Sequence, residues 1–105
     1  MEIIISSEEQ FNELEKSKRV VIDFNAKWCG PCRMLSPVLE EIASEDEDLV
    51  ILKVDTDTFP QLAYKYKVSA IPALFFLKDG VVVGDSLGYM PKPQLVKLIN
   101  DKLNK

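Results

Sequence analysis

The two cysteines of the chain lie three residues apart, in the run Trp28-Cys29-Gly30-Pro31-Cys32. Residues with this spacing share one face of a helix, where their Cβ atoms are about 5–6 Å apart. The corresponding Cα separation falls within the ~4.4–6.8 Å that a disulfide tolerates. The spacing therefore favours a reversible disulfide between Cys29 and Cys32, and the chemistry of such a pair is thiol–disulfide exchange.

The residues around the pair favour Cys29 as the attacking thiolate. Exchange requires a thiolate, whereas a free cysteine is mostly protonated at neutral pH. If a helix begins at the pair, its unpaired N–H groups and the positive end of its dipole stabilise the anion at Cys29. Pro31 suits the first helical turn because no N–H is needed there, and Gly30 keeps the approach to Cys29 open. Cys32, one turn further on, is expected to be more buried and slower to react with outside reagents.

Two other interpretations of the cysteine pair stay open. Tetrahedral zinc needs four ligands, and this chain has two thiols and no histidine, so a zinc site would have to be shared between two chains. A purely structural disulfide is the second interpretation, although so short a loop constrains the unfolded chain little. The lack of histidine also excludes Cys–His dyads and histidine-based acid–base catalysis.

The composition is that of a globular domain. The 105 residues are 47% hydrophobic and 29% charged, and this length suffices for one domain, residues 1–105, but not for two. A net charge of −4 without a basic stripe argues against nucleic acid as a partner. No signal-peptide core and no run near the ~20 apolar residues of a membrane span is found. We therefore expect a cytoplasmic protein, in which a cysteine pair is more often catalytic or metal-binding than structural.

Strands that alternate with helices position the pair. Apolar runs predict strands at residues 3–5, 19–25, 49–55, 73–77 and 81–86. Helices are predicted after Ser6 or Ser7, from the cysteine pair through Ala43, after a cap at Asp57 or Thr58, and around Leu95–Leu103. Asp79-Gly80 between the last two strands predicts a type I′ hairpin turn. This order predicts an α/β fold, with one mixed sheet and helices on both faces.

The residues around the cysteines resemble the thioredoxin family. The matching positions are Val21-Ile22-Asp23-Phe24, Trp28–Cys32, Lys53, Ile71-Pro72, Asp79-Gly80 and Gly88. The resemblance covers essentially the whole chain, in length and in the order of its elements. It implies the thioredoxin fold, a central mixed five-stranded sheet flanked by four helices.

The resemblance implies a protein-disulfide reductase. The Cys29 thiolate would attack a substrate disulfide and form a mixed disulfide, and Cys32 would then attack Cys29 and release the substrate as a dithiol. A flavin-dependent thioredoxin reductase that uses NADPH would reduce the protein again. The expected partners are that reductase, oxidised proteins with disulfides, and cytoplasmic reductases that take electrons from the pair. We expect a monomer that carries no cofactor of its own.

The resemblance also gives roles to Asp23 and Lys53. Cys32 needs a proton acceptor for the second step, and Asp23 is the candidate because burial in an apolar strand raises the pKa of a carboxyl group. Lys53 lies at the matching place in the next parallel strand of the family fold, where charge pairing could lower that pKa. The net effect on the pKa of Asp23 cannot be predicted from the sequence. The alternative, a buried Asp23–Lys53 ion pair that only shapes the fold, stays open.

A substrate-docking patch follows from the same resemblance. In this family Pro72 follows a cis peptide bond beside the site, a geometry found in only ~5–6% of X–Pro bonds generally. The backbone of Ile71 would then bind an extended substrate as an added strand, and Gly88 would leave room for its close approach. The expected patch consists of Trp28, Gly30, Pro31, Ile71, Pro72 and Gly88.

Three positions depart from the commonest family pattern. Asn25, Lys67 and Ala73 replace the more frequent residues. None of them removes a reacting atom, and the last two border the docking patch.

Three alternative functions remain. An oxidant or isomerase of the same fold is disfavoured by Gly30-Pro31, since a histidine before Cys32 would make the pair more oxidising. A glutaredoxin usually has Cys-Pro-Tyr-Cys. A non-catalytic binding subunit would retain its function without Cys29 and Cys32.

Overall fold

The computed structural model describes residues 1–104 and contains one five-stranded sheet with four helices. The elements are β1 (Glu2–Ile4), α1 (Glu8–Leu14), β2 (Arg19–Asn25), α2 (Gly30–Glu45), β3 (Val50–Asp55), α3 (Pro60–Lys65), β4 (Ala73–Lys78), β5 (Val81–Leu87) and α4 (Lys92–Leu103). The strand order is β1-β3-β2-β4-β5. β1, β3 and β2 run parallel, while β4 and β5 pair antiparallel. The predicted mixed sheet and its fold class are confirmed.

The sheet separates two apolar cores, one on each face. On one face α2 and α4 cover Val21, Ile51, Leu74 and Phe76 of the strands, with Leu35, Leu39, Ile42, Leu95, Ile99 and Leu103 from the helices. On the other face α1 and α3 cover Val20, Ile22, Phe24, Leu52, Val54 and Leu77, with Phe11 and Leu62 from the helices. Two covered faces explain why the central strands are almost continuously apolar.

Alternation along the two central strands assigns Asp23 and Lys53 to one face. Successive side chains of a strand point to opposite faces, so Asp23 shares a face with Val21, and Lys53 shares a face with Ile51. Both of those apolar residues pack against α2 and α4. In the parallel pairing of β2 with β3, Asp23 lies opposite Lys53. The sheet therefore directs one carboxylate and one ammonium towards the helix that begins at the cysteine pair.

The ends of the elements follow their predicted chemistry with one exception. The Ser7 hydroxyl accepts a hydrogen bond from the Gln10 N–H at 3.1 Å and caps α1. Asp79 and Gly80 have φ of 51° and 82°, which confirms the type I′ turn. The predicted cap of α3 at Asp57 or Thr58 is wrong: the helix begins after Phe59, because the Asp55 carboxylate binds the backbone N–H groups of both predicted caps instead.

Residues 1–104 contain neither a membrane-spanning helix nor a cluster of metal-binding side chains. No helix there is long and apolar enough to cross a bilayer. Nor does this part of the chain contain a group of three or more side chains suited to bind a metal ion.

Removing a side chain from the centre of the sheet tests the core. Phe76 is fully buried opposite Val21. We expect Phe76→Ala to lower the free energy of unfolding by about 3–5 kcal/mol, since it removes buried apolar surface and leaves a cavity. Val81→Ala, at a site that is 63% exposed, should change it by less than about 0.5 kcal/mol. Urea unfolding of the oxidised proteins measures both values, and equal midpoints would contradict this account of the core.

Candidate functional site: the cysteine pair and the Asp23 cleft

The N-terminus of α2 holds the cysteine pair. β2 ends at Asn25, and Cys29 is the N-cap residue of α2 with extended backbone angles. The Cys32 N–H donates to Cys29 Sγ at 3.2 Å, and the Arg33 N–H donates to the Cys29 carbonyl at 3.2 Å. Pro31 occupies the first turn, as expected. The Cys32 N–H therefore points at Cys29 Sγ, where it and the helix dipole stabilise negative charge on sulfur.

Cys29 and Cys32 are joined by a disulfide with a Cα–Cα separation of 5.2 Å. Cys29 is 5% exposed and Cys32 is 7% exposed. The expectation that Cys32 would be the more buried of the two is therefore wrong for the oxidised protein. The reason is that Cys29 also packs inward, in a small apolar cluster with Cys32, Ala26 and Ile71.

The segment before β4 lies against Cys29. The Ile71–Pro72 peptide bond is cis, and Cys29 Sγ lies 3.9 Å from the Ile71 carbonyl oxygen. The Pro72 carbonyl accepts a hydrogen bond from the Gly88 N–H at 2.8 Å. Gly88 has φ of 83°, and a Cβ atom built there would meet no other atom within 4 Å. A glycine is thus required by the backbone at this position, and the surface above it is open.

The exposed rim of the site is formed by Trp28 and Gly30. Trp28 is 68% exposed, and its indole N–H donates to Asp57 Oδ2 at 2.9 Å. A shallow groove of about 350 Å³ runs beside it, lined by Trp28, Thr56, Ala63, Val68, Ser69, Ala70 and Ile71. A Cβ atom built on Gly30 would likewise meet nothing within 4 Å. Of the expected docking patch, Trp28, Gly30 and Pro31 adjoin the cysteines in the chain and Ile71 contacts Cys29, while Pro72 is buried and hydrogen-bonded to Gly88.

Asp23 is a buried carboxylate near the disulfide. It is 3% exposed, and burial raises its pKa from the ordinary value of 3.8 to about 6. The charge of Lys53 and a hydrogen bond from Asn25 oppose this rise, while Glu2 adds to it. Asp23 Oδ1 has no hydrogen-bond partner among the described residues. A carboxyl group with a pKa near 6 can take up and release a proton close to neutral pH.

Lys53 does not form an ion pair with Asp23, so the interpretation as a buried Asp23–Lys53 pair is wrong. Its ammonium donates to Ser36 Oγ at 2.7 Å and lies 3.8 Å from Glu2 Oε2. The partners on β1 and α2 draw the ammonium away from β2. Lys53 therefore acts on Asp23 through space, where its positive charge lowers the pKa of that carboxyl. Burial in turn raises the pKa of Glu2, which Lys53 partly offsets.

A cleft connects Asp23 with the cysteine pair. It has a volume of about 140 Å³ and is lined by Asp23, Asn25, Ala26, Lys27, Cys32, Arg33, Ser36 and Lys53. A water molecule occupies ~30 Å³ in the liquid, so the cleft has room for several. Cys32 and Asp23 line the same cleft. A larger groove, about 660 Å³ around Arg19 and Asp46, lies at the other end of β2, away from this chemistry.

Sequence reasoning missed three polar residues of the site. Asn25 donates to Asp23, Ser36 accepts from Lys53, and Asp57 accepts from Trp28. The position of Ser36, four residues after Cys32 on one helix face, is a signal that could have placed it in the cleft. Asn25 lies two residues after Asp23 and so on the same strand face. Asp57 had no comparable signal, since it lies in the turn after β3.

Comparisons of the sequence with known proteins agree on one family. A family model described as Thioredoxin matches residues 2–101. A thioredoxin of Chlamydia trachomatis serovar D is 49% identical over 96 residues, which are 91% of this chain and 94% of that protein. A thioredoxin of Bacillus subtilis is 44% identical over 104 residues, 98% of this chain and 100% of that protein.

Solved structures give the same result. A mutant thioredoxin from Halobacterium salinarum superposes with a TM-score of 0.90 at 31% sequence identity, over 97% of this chain and 90% of that one. The oxidised mitochondrial thioredoxin 3 of Saccharomyces cerevisiae superposes with a TM-score of 0.85 at 34% identity, over 93% and 92% of the two chains. The likeness thus extends over nearly the whole chain.

The raised pKa of Asp23 predicts how stability depends on pH. Between pH 4 and pH 6 the folded protein holds a proton on Asp23 that the unfolded chain has lost, so stability falls as pH rises through this window. Above it, the buried carboxylate destabilises the fold by on the order of 2–3 kcal/mol. We therefore expect Asp23→Asn to raise the free energy of unfolding by about this amount at pH 8 and by nothing below pH 4.

The measurement is urea unfolding of the oxidised protein from pH 3.5 to pH 8. Asp101→Asn removes an exposed carboxylate that pairs with Lys97, and it should change the free energy of unfolding by less than about 0.5 kcal/mol. If Asp23→Asn is no more stable than the parent protein at pH 8, burial does not set the pKa of Asp23.

Proposed function

Because this chain belongs to the thioredoxin family and is a thiol–disulfide oxidoreductase that reduces protein disulfides, we propose that Cys29 begins the exchange and Cys32 completes it. Reduced Cys29, as the thiolate, attacks one sulfur of a substrate disulfide. A Cys29–substrate bond forms, and the other substrate sulfur leaves as a thiolate. Cys32 then attacks Cys29 Sγ, which forms the Cys29–Cys32 disulfide and releases the second substrate sulfur. Two electrons pass from the cysteine pair to the substrate.

The hydrogen bond from the Cys32 N–H to Cys29 Sγ carries this assignment. It lies at the N-terminus of a 16-residue helix, where backbone donors and the helix dipole favour an anion. Only Cys29 has this position, because Cys32 lies within the first turn. Cys29 also lies beside the Ile71 carbonyl, where a substrate segment would bind.

Asp23 takes the proton of Cys32 in the second step. The Cys32 thiol loses its proton to the Asp23 carboxylate through the cleft, which yields the Cys32 thiolate and the neutral Asp23 acid. A pKa of about 6 keeps most of the carboxyl group ionised at pH 7, yet close enough to neutral pH to accept a proton. Lys53 acts on this step only through its charge, which favours the ionised form of Asp23.

The docking patch binds the substrate as an extended segment. The backbone around Ile71 and Pro72 offers hydrogen-bonding groups beside Cys29, and a strand-like segment can pair with them by β-augmentation. The exposed face of Trp28 and the open surfaces at Gly30 and Gly88 give room for it. Pro31, which is exposed and lies between the two cysteines in the chain, completes the rim.

The reducing partner and the compartment of this protein follow the family pattern. A thioredoxin reductase, a flavoprotein that uses NADPH, returns the Cys29–Cys32 disulfide to the dithiol, since thioredoxins are reduced by such enzymes. The chain works in the cytoplasm as a monomeric single domain, residues 1–105, and passes electrons to reductases and oxidised proteins there. A reducing compartment suits a pair that must be a dithiol before each turnover.

Single-cysteine variants test the order of the two steps. We expect Cys32→Ser to form a mixed disulfide with a disulfide-containing peptide and to remain in it, because no second thiol can release the peptide. Cys29→Ser should form such an adduct at least tenfold more slowly, since Cys32 lacks the favourable place at the helix N-terminus. Mass spectrometry of the quenched reaction measures both, and faster adduct formation by Cys29→Ser would reverse the assignment.

A redox titration distinguishes the reductase from its alternatives. The protein is equilibrated in dithiol/disulfide buffers, and the fluorescence of Trp28, beside Cys29, reports the state of the pair. We expect a two-electron transition on the reducing side of the glutathione couple. A midpoint near that of protein disulfide isomerase would instead indicate an isomerase. The absence of a transition would favour a binding subunit.

A further inference from the structure

Asn25 is the one side chain that donates a hydrogen bond to the Asp23 carboxylate within residues 1–104. Its Nδ2 lies 3.3 Å from Asp23 Oδ2 and 3.1 Å from the Asp23 backbone carbonyl oxygen. Both acceptors belong to the same residue. Because the amide nitrogen carries two hydrogens, one amide group satisfies both bonds.

The surroundings fix the orientation of the Asn25 amide. If the amide were flipped, its oxygen would face two oxygen acceptors and neither contact could be a hydrogen bond. The backbone of Asn25 is held as well, because its carbonyl accepts from the Thr56 N–H at 2.8 Å. The donor is therefore held at a fixed place beside Oδ2, at the end of a central strand.

The two oxygens of Asp23 are thereby made unequal. Oδ2 accepts from Asn25, whereas Oδ1 is buried without a partner among the described residues. A proton on Oδ2 would make that oxygen a poorer acceptor, and so would weaken its hydrogen bond from the Asn25 N–H. A proton on Oδ1 leaves the Asn25 bond intact.

We propose that Asn25 is a positioning residue for the exchange reaction: it holds Oδ2 of Asp23 and so makes Oδ1 the oxygen that takes the proton from Cys32. This inference rests on the proposed role of Asp23 as proton acceptor. The same hydrogen bond favours the ionised carboxyl group and thus moderates the effect of burial. Asn25 acts through Asp23 and does not itself touch the reacting sulfur atoms.

Other charges around Asp23 act in both directions. Lys53 on β3 favours the carboxylate, and Glu2 on β1 disfavours it. Lys27 and Arg33 line the same cleft from the loop and from α2. The neighbour on β4 is Leu74, which is apolar. Substitution of Asn25 leaves all of these charged groups in place, so a change in the titration of Asp23 does not come from them.

The first experiment follows the ¹³C resonance of the Asp23 side-chain carboxyl against pH in the oxidised protein, where no thiol titrates. We expect Asn25→Ala and Asn25→Leu to raise the midpoint by about one pH unit, because each removes the donor. Asn25→Leu keeps the bulk of the side chain, so water entering the cleft cannot mask the effect. Asn12→Ala, at an exposed asparagine of α1, should leave the midpoint unchanged. Midpoints within 0.2 pH unit of the parent in both Asn25 variants would overturn the inference.

The second experiment measures disulfide formation between Cys29 and Cys32 at saturating peptide disulfide, by Trp28 fluorescence. A midpoint raised by one pH unit lowers the ionised fraction of Asp23 about tenfold well below pH 6 and hardly at all at pH 8. We expect the rate of Asn25→Leu to show this pH-dependent loss, and the loss to be absent when Asp23→Asn is also present.

The two experiments separate the possible failures. A shifted midpoint together with the pH-dependent loss of rate supports the whole inference. A shifted midpoint without the loss would show that Asn25 holds Asp23 but that Asp23 does not take the proton, which overturns the proposed second step. A loss of rate that persists with Asp23→Asn would show that Asn25 acts by another route and would overturn the positioning role.

Discussion

The site depends on β2 being hydrogen-bonded along both of its edges. Residues 20–25 pair with β3, and residues 19–24 pair with β4, so the strand cannot shift relative to either neighbour. Its end therefore delivers Asp23, Asn25 and the turn to Cys29 to fixed places. Because β4 runs antiparallel to β2, Phe24 lies opposite Ala73, and the Ile71–Pro72 segment that precedes β4 must lie beside the start of α2. One strand thus positions both the cysteine pair and the backbone that faces it.

Much of this arrangement could be predicted from the sequence, because it rests on local patterns. Apolar runs marked the strands, Asp79-Gly80 marked the hairpin, and Pro31 with the cysteine spacing marked the start of α2. The contacts of polar side chains could not be predicted in the same way. Lys53 was correctly placed opposite Asp23, yet its ammonium turns to Ser36 and Glu2. That choice depends on where α2 and β1 lie in space, which strand periodicity does not encode. The burial of Cys29 was missed for the same reason, since it results from contact with Ile71.

The displacement of Lys53 from Asp23 has a chemical consequence. A direct ion pair would favour the carboxylate strongly and hold its pKa low, and a carboxylate of low pKa is a weak proton acceptor near neutral pH. Because Glu2 and Ser36 hold the ammonium, burial remains the largest effect on Asp23. The fold therefore retains a buried carboxylate that lowers its own stability. Such a group is difficult to explain as a structural element, since a neutral side chain of the same shape would stabilise the strand better.

The burial of both cysteines in the oxidised state bears on how a partner reaches the disulfide. Cys29 and Cys32 are nearly inaccessible in the disulfide, whereas Trp28 beside them is 68% exposed. A shallow groove borders the pair on the side of Trp28 and Ile71. The indole of Trp28, fixed by Asp57, bounds one side of that groove. The proposed recognition through backbone hydrogen bonds would make the reductase tolerant of substrate sequence.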